Sequence, residues 1–291
     1  DTDDVREAPS LTLIPMLLCL VTMRTRNGYR GLHDLASGTC VVQMRPGSAG
    51  SRLGDVPVIA PIAPSGNVPA FGPFRATGSL GKSGDAMILQ ASDETLNRRV
   101  WVFVRPLSAS PVSTGRAGVA RAARPRWLQG GESGGARWDA FEAVLGSPLA
   151  LAVSNGGELA WDRGRFLLLD LAEELVAAST DGTLPESLSL DHVWLDRDGR
   201  VKLLDVPIQP PEANQSRISK DSLADPLSAV GLLRAVAHPI TLVEMPPVHA
   251  QEFVTELMRR PEEMDTLVWA AGQLREFATR TGALTRSDRL V

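Results

Sequence analysis

Leu190–Ile208 reads LDHVWLDRDGRVKLLDVPI. Two apolar arms, HVWL at 192–195 and RVKLLD at 200–205, flank Asp196-Arg197-Asp198-Gly199, whose glycine tolerates the positive φ of a tight reversal. The stretch therefore predicts a β-hairpin with a carboxylate, Asp205, just past its second arm. Upstream, Arg163 to Ala178 (RGRFLLLDLAEELVAA) sets Phe166, Leu169, Leu171, Leu175 and Val176 around an apolar stripe at helical spacing. Downstream, a helix is expected from Val248 to Arg260, with Phe253, Leu257 and Met258 as its core stripe. The hairpin thus lies inside a helix-rich half.

Before Gly146 the pattern is different. Phe74–Leu80, Ala86–Ala91 and Arg99–Leu107 are strand-like runs, separated by Gly81-Lys82-Ser83-Gly84-Asp85 and Ser92-Asp93-Glu94. Arg126–Gln129 and Ala136–Ala143 follow, joined by a six-residue segment with four glycines. Five strands in a meander, then helices, is an α+β plan in two parts.

Composition narrows the function classes. A net charge of -4 over 291 residues, with a pI near 5.7, supplies no dominant basic face, so nucleic acid is not an expected partner. Lysine occurs only at Lys82, Lys202 and Lys220; the other basic residues are arginines. Cys19 and Cys40 have neither C-x-x-C spacing nor a disulfide framework, and no metal site is expected. The six tryptophans sit mostly in apolar patterns and read as core. No H-E-x-x-H, G-x-x-x-x-G-K or G-x-G-x-x-G motif occurs.

In order, LGKSGDAMILQASDETLNRRVWVF (80–103), RWLQGGESGGARWDAFEA (126–143), the 190–208 hairpin and DPLSAVGLLRAV (225–236) resemble a protein kinase. They are similar to its glycine-rich loop with the next two strands, its fourth and fifth strands before the hinge, the hairpin that ends in Asp-Phe-Gly, and the helix anchoring the large lobe, which Asp225 would open. The resemblance covers about 215 residues and implies a two-lobed fold over 74–291, a small β-rich N-lobe and a helical C-lobe.

Phosphoryl transfer in that family needs a strand lysine held by a helix Glu, a catalytic-loop Asp, and an Asn and an Asp on the metal. Aligning Val-Ala-Ile-Lys with Val100-Trp101-Val102-Phe103 puts Phe103 at the lysine position. Strand alternation sets Trp101 and Phe103 on one face, which the resemblance makes the wall of the nucleotide cleft; clearing both rings costs about 3 kcal/mol or more. Arg105, on the same face, is expected to be solvated. The segment from Leu107 to Arg126 holds no acid to pair with a lysine. Ser187 and His192 stand where the catalytic Asp and the metal-binding Asn belong, and Asp205 keeps the metal-binding Asp position. Asp205 reads as a solvated or capping group, and a hydrogen-bonded pair of His192 with Asp205 would be structural. Val206-Pro207 replaces Phe-Gly, and proline cannot make the rotation glycine allows.

These departures imply a catalytically defective, pseudokinase-like domain with no cofactor, working through a protein partner. The alternative is a divergent active Ser/Thr kinase in which Lys82, within Gly81, Lys82, Ser83 and Gly84, reaches ATP and Asp205 meets its Mg²⁺, although Asp85 would face the phosphates there. Ser216, Ser219 and Ser222, beside Arg217 and Lys220, are candidate phosphate acceptors in a short activation segment. A minor alternative is a serine hydrolase: Gly131-Glu132-Ser133-Gly134-Gly135 matches G-x-S-x-G, with a helix expected to carry Trp138 and Phe141. Four glycines in that loop argue for a hairpin turn instead.

The beginning of the chain carries a second resemblance. Ala8–Met23 (APSLTLIPMLLCLVTM) is uncharged, shorter than the roughly 20 residues of a full span, and followed by Arg24, Arg26 and Arg30. Asn27–Val42 (NGYRGLHDLASGTCVV) is similar to the end of an RDD-family membrane domain through Arg30, His33, Asp34, Gly38, Thr39, Val41 and Val42. Residues 1–45 are therefore expected to end a transmembrane segment, 46–73 to form a Gly/Pro/Ser-rich linker, and 74–291 to lie on the cytoplasmic side. Asp1 in place of Met, with no signal peptide, reads as a piece of a longer chain.

Overall fold

Apolar alternation from Phe74 onward builds a six-stranded antiparallel sheet: β1 (Ala70–Phe71), β2 (Phe74–Ser83), β3 (Ala86–Asp93), β4 (Arg98–Pro106), β5 (Trp127–Ser133) and β6 (Ala136–Glu142). The computed structural model describes residues 56, 58–63, 69–154, 160–209, 227–240 and 247–279. Strand order is β1-β2-β3-β4-β6-β5, so the expected meander holds only as far as β4. Residues 107–126, including one turn of helix α1 (Thr114–Ala117), carry the chain past the sheet edge, and the β5–β6 hairpin then folds back so that β6 pairs with β4.

The sheet curls toward a barrel, with register irregularities in β2 between Ala76 and Gly78 and between Ser79 and Gly81, and in β5 between Trp127 and Gln129, adding to its twist, and both of its faces are apolar. Val100 and Val102 of β4 join Phe74, Ala76, Leu89, Ala91, Trp138 and Ala140 on the inner face. There Trp138 meets Phe71 and Phe74, with ring centroids 6.4 and 6.0 Å apart, drawing the first strands toward the last.

The rest of the chain is helical around a small second sheet. β7 (Gly146–Pro148), β8 (Val193–Asp196) and β9 (Val201–Leu203) pair in the order β7-β8-β9, and Gly199 turns the β8–β9 hairpin at φ 72°. Helices α2 (Leu149–Ser154), α3 (Trp161–Asp181), α4 (Ala229–Ile240), α5 (Val248–Arg259) and α6 (Met264–Thr279) complete the described elements. The fold is α+β, with the strands leading and the helices following.

Three expectations about packing need correction. On α3 the buried positions are Trp161, Gly164, Leu167, Leu168, Leu171, Ala172, Glu174, Leu175 and Ala178, while Phe166, Leu169 and Val176 are only half-buried. This helix packs on α4, α6 and β9 together, so its buried arc is wider than one stripe. On α5, Met258 is 40% exposed, and Ala250 and Val254 take its place beside Phe253 and Leu257. The stretch expected to be a linker is also not all linker: Val56, Ile59 and Phe71 are buried in the domain, and β1 lies within it. Residues 1–55, with the RDD-like segment, and 210–226, with Ser216, Ser219, Ser222 and Asp225, lie outside the described residues. Among the described residues no helix is long and apolar enough to cross a membrane.

Candidate functional site: the junction between the two sheets

On β4, Trp101 and Phe103 face away from the barrel interior. Trp101, 1% exposed, meets Trp194 of β8 edge-to-face at 5.0 Å, and Phe103 meets Phe141 of β6 at 5.2 Å. Leu80, Ile88, Leu204 and Ile208 belong to the same apolar layer. Side chains of the large sheet, the hairpin and the residues after Asp205 therefore fill the space between the two halves. T-shaped aromatic pairs add about 0.5–1.5 kcal/mol each beyond their area.

The chain after Asp205 closes one end of this layer. Gln209 forms a backbone bridge with Lys82: Lys82 N donates to Gln209 O at 3.0 Å and Gln209 N to Lys82 O at 2.8 Å. Gly81, Lys82, Ser83 and Gly84 form the end of β2 and its tight turn, with Ser83 opposite Ala86 and Gly84 at φ 54°. Lys82 and Asp85 are both exposed, and β2 departs from regular register beside Gly81, at φ 146°.

At the other end lies a cluster of charges. Ser113 caps α1 by accepting from Arg116 N at 3.2 Å, and that single turn aims Arg116 inward. Arg116 Nε donates to both oxygens of Asp205, at 2.8 and 2.9 Å, and Nη2 donates to Pro125 O at 2.7 Å. Its guanidinium also lies 5.3 Å from the Phe141 ring centroid. Arg124 is fully buried, donates to Thr183 O at 3.0 Å and forms a second ion pair with Asp205. Glu174, from the apolar side of α3, accepts a two-pronged pair from Arg121 at 2.9 Å each and lies 3.7 Å from Arg124 Nε. Arg121 also bonds Asp181 and the Thr183 hydroxyl. Three guanidiniums thus face three carboxylates, and their formal charges cancel.

Electrostatics follow from depth. Burial lowers the pKa of Arg124, against the opposing pull of Asp205, while the hydrogen bonds from Arg121 to Glu174 raise that of Arg121. The Thr183 hydroxyl, helped by Arg121, holds Asp181 below the usual carboxylate range.

Asp205 is therefore a paired carboxylate, neither a freely solvated one nor a helix cap. Its carboxylate, 30% exposed, is held by two arginines, and a metal ion bound there would have to displace them or add to their charge. Nor do His192 and Asp205 form the expected hydrogen bond. His192 Nδ1 accepts from Ser189 N at 3.1 Å, which places the neutral ring's proton on Nε2, a buried atom with no partner among the described residues. Burial lowers the His192 pKa. Ser187 is exposed in the loop between α3 and the short 3₁₀ turn Leu190–His192. Arg105 is not solvated either: it forms an ion pair with buried Asp139, which also accepts from Trp127 Nε1 at 3.0 Å.

Ser133 sits at the end of β5 opposite Ala136, ahead of a turn with Gly134 and Gly135 at φ 59° and 77°. Trp138 and Phe141 follow on strand β6, not on a helix, so the strand-turn-helix setting of a nucleophile elbow is not formed there.

Several participants escaped sequence reasoning. Arg116, Arg121 and Arg124 were visible only as basic residues in an acid-free segment, and Glu174 only as one acid among leucines of an apolar helix. That acid on the buried side of α3, with an acid-free run of arginines elsewhere, was the available signal. No protein-family model matches the chain, and no curated protein matches it.

Proposed function

We propose that residues 74–291 are a catalytically defective, protein-kinase-like domain, a small β-rich lobe followed by a helical one, and that it works by binding a protein partner. In the same reading residues 1–45 end an RDD-type membrane segment that keeps the domain at the cytoplasmic face. The observation that carries the proposal is the clasp on Asp205: Arg116 and Arg124 bring two positive charges to the one carboxylate that the kinase resemblance assigns to Mg²⁺. Filling of the junction by Trp101, Phe103, Trp194 and Ile208, together with Phe103 and Ser187 at the lysine and catalytic Asp positions, points the same way. Without a strand lysine, a base or a free metal carboxylate, positioning and charge neutralisation of a phosphoryl group have no agents. What such a domain retains is surface, and a partner that prefers one arrangement of its parts biases that arrangement.

The test is the thermal midpoint of the full chain titrated with Mg-ATP, alongside incorporation of labelled phosphate. A ligand of the folded state raises the midpoint with concentration. A flat midpoint and no incorporation are expected. A concentration-dependent rise overturns the reading, and incorporation with it revives an active kinase that uses Lys82.

A further inference from the structure

Val56 and residues 58–62 cross the junction. Val56 belongs to the helical core, Ile59 three residues later belongs to the aromatic layer between the sheets, and Ile62 after three more pairs with Ser79 of β2. Ile59 N donates to Gly146 O at 3.0 Å, at the start of β7. Ile62 and Ser79 exchange two backbone bonds, of 2.9 and 2.8 Å. One residue on β2 makes room for this crossing: a Cβ on Gly78 would lie 2.8 Å from Ile62 O and 2.8 Å from Pro61 Cβ. The segment is thus tied to both halves of the molecule within seven residues.

The seating is light. Val58 and Ile62 are 50% and 44% exposed, and Ala60 is exposed as well. Beside the segment lies an open hollow of about 480 Å³, bordered on the sheet side by Thr77, Gln90, Ser92 and Arg99. Three backbone hydrogen bonds and two buried apolar side chains oppose the entropy of ordering Val56 and residues 58–62, and these contributions are of similar size. A segment so balanced is easily shifted by anything acting on the chain before it, and residues 1–55 lie there.

We propose that residues 56–62 are a releasable strap: seated, they tie β2 to Gly146 and close the junction around Trp101 and Trp194, and a pull or a partner acting on the preceding residues unseats them and loosens that junction. The inference rests on the strap's own bonds and packing, not on the kinase-like reading. Gross unfolding is unnecessary, because the strap contributes one side chain, Val56, to the helical core and one, Ile59, to the aromatic layer, while the other buried residues of α3 are supplied by that helix and its helical neighbours.

Native-state amide exchange of the full chain in low denaturant tests this. The amides of Ile59, Ile62 and Ser79 are expected to exchange through an opening shared with β8 and distinct from the global unfolding reported by the core of α3. Gly78→Val, which removes the strap's seat, should speed exchange at those three amides by tenfold or more with α3 unchanged, and Val58→Asp, at an exposed position, should not. Strap amides that exchange only together with α3, or that open while β8 stays protected, overturn the proposal, as does a strap left protected by Gly78→Val. Should that variant fail to fold, the wild-type exchange pattern decides alone.

Discussion

Burial, opposed by the hydrogen bond from Ser189 and the nearby Asp205 carboxylate, holds the His192 imidazole below its ordinary value of about 6.5. The unfolded chain then takes up a proton that the folded chain refuses. Stability is full above the ordinary value and is lost as pH falls from there toward the depressed folded value. The slope is at most about 1.4 kcal/mol per pH unit, that of one proton. His192→Asn keeps an acceptor for Ser189 N and removes the titration, so urea midpoints measured between pH 7 and 5 should fall more steeply for the wild type than for the variant. Asp191 and Asp196, whose pKa values burial raises, act with the opposite sign, stabilising as pH falls; being present in both proteins, they cancel in the comparison. Equal slopes would mean that the imidazole titrates alike in the folded and unfolded chain, and a shallower fall for the wild type that it is charged when folded.

Two glycines separate what an element tolerates from what it demands. At Gly146 a Cβ would sit 1.8 Å from Leu195 O, so Gly146→Ala must push β7 off β8 and break the strand that the strap also uses. A loss of about 3 kcal/mol or more is expected, on the scale of severe overpacking against backbone. Gly272, exposed within α6, meets nothing within 4 Å, and Gly272→Ala should stabilise by about 0.5–1 kcal/mol through helix propensity. Denaturant midpoints of the two variants should therefore move in opposite directions, and a tolerated Gly146→Ala would mean that the β7–β8 approach is not as close as described. The same distinction between local and distant causes explains what could be read from the sequence. β2, β3 and β4 and the β8–β9 hairpin announce themselves by alternation and turn residues, all within reach of their neighbours in the chain. That β6 would lie between β4 and β5 depends on where residues 107–126 carry the chain, which no local pattern encodes. Asp205 was legible as a carboxylate after a hairpin, yet its partners Arg116 and Arg124 lie 89 and 81 residues away. Val56 and Ile59 are buried by contacts supplied from elsewhere, while the prolines and glycines around them look like a linker.

The large sheet and the helical part each have an interior of their own but share a third, the aromatic layer, which draws Leu80, Ile88, Trp101 and Phe103 from one and Leu151, Trp194, Leu204 and Ile208 from the other. Removing the sheet's share would expose Trp194 and Leu204 to water, at a cost of about 1.5–3 kcal/mol for each large apolar side chain exposed. Neither half can then unfold without destabilising the other, so denaturation of residues 51–291 should be one cooperative transition. Four of the six tryptophans, Trp101, Trp127, Trp138 and Trp194, report the junction and the large sheet, while Trp161 and Trp269 report the helical core; ellipticity at 222 nm reports chiefly the helices, and in urea the two curves should coincide. Trp101→Ala removes the ring packed on Trp194 at a site with 1% exposure, and it should lower stability by about 3–5 kcal/mol, again in both signals together. If the wild-type fluorescence transition precedes the loss of helix, or if Trp101→Ala shifts fluorescence alone, the layer is a contact between two independently stable parts, not a shared core.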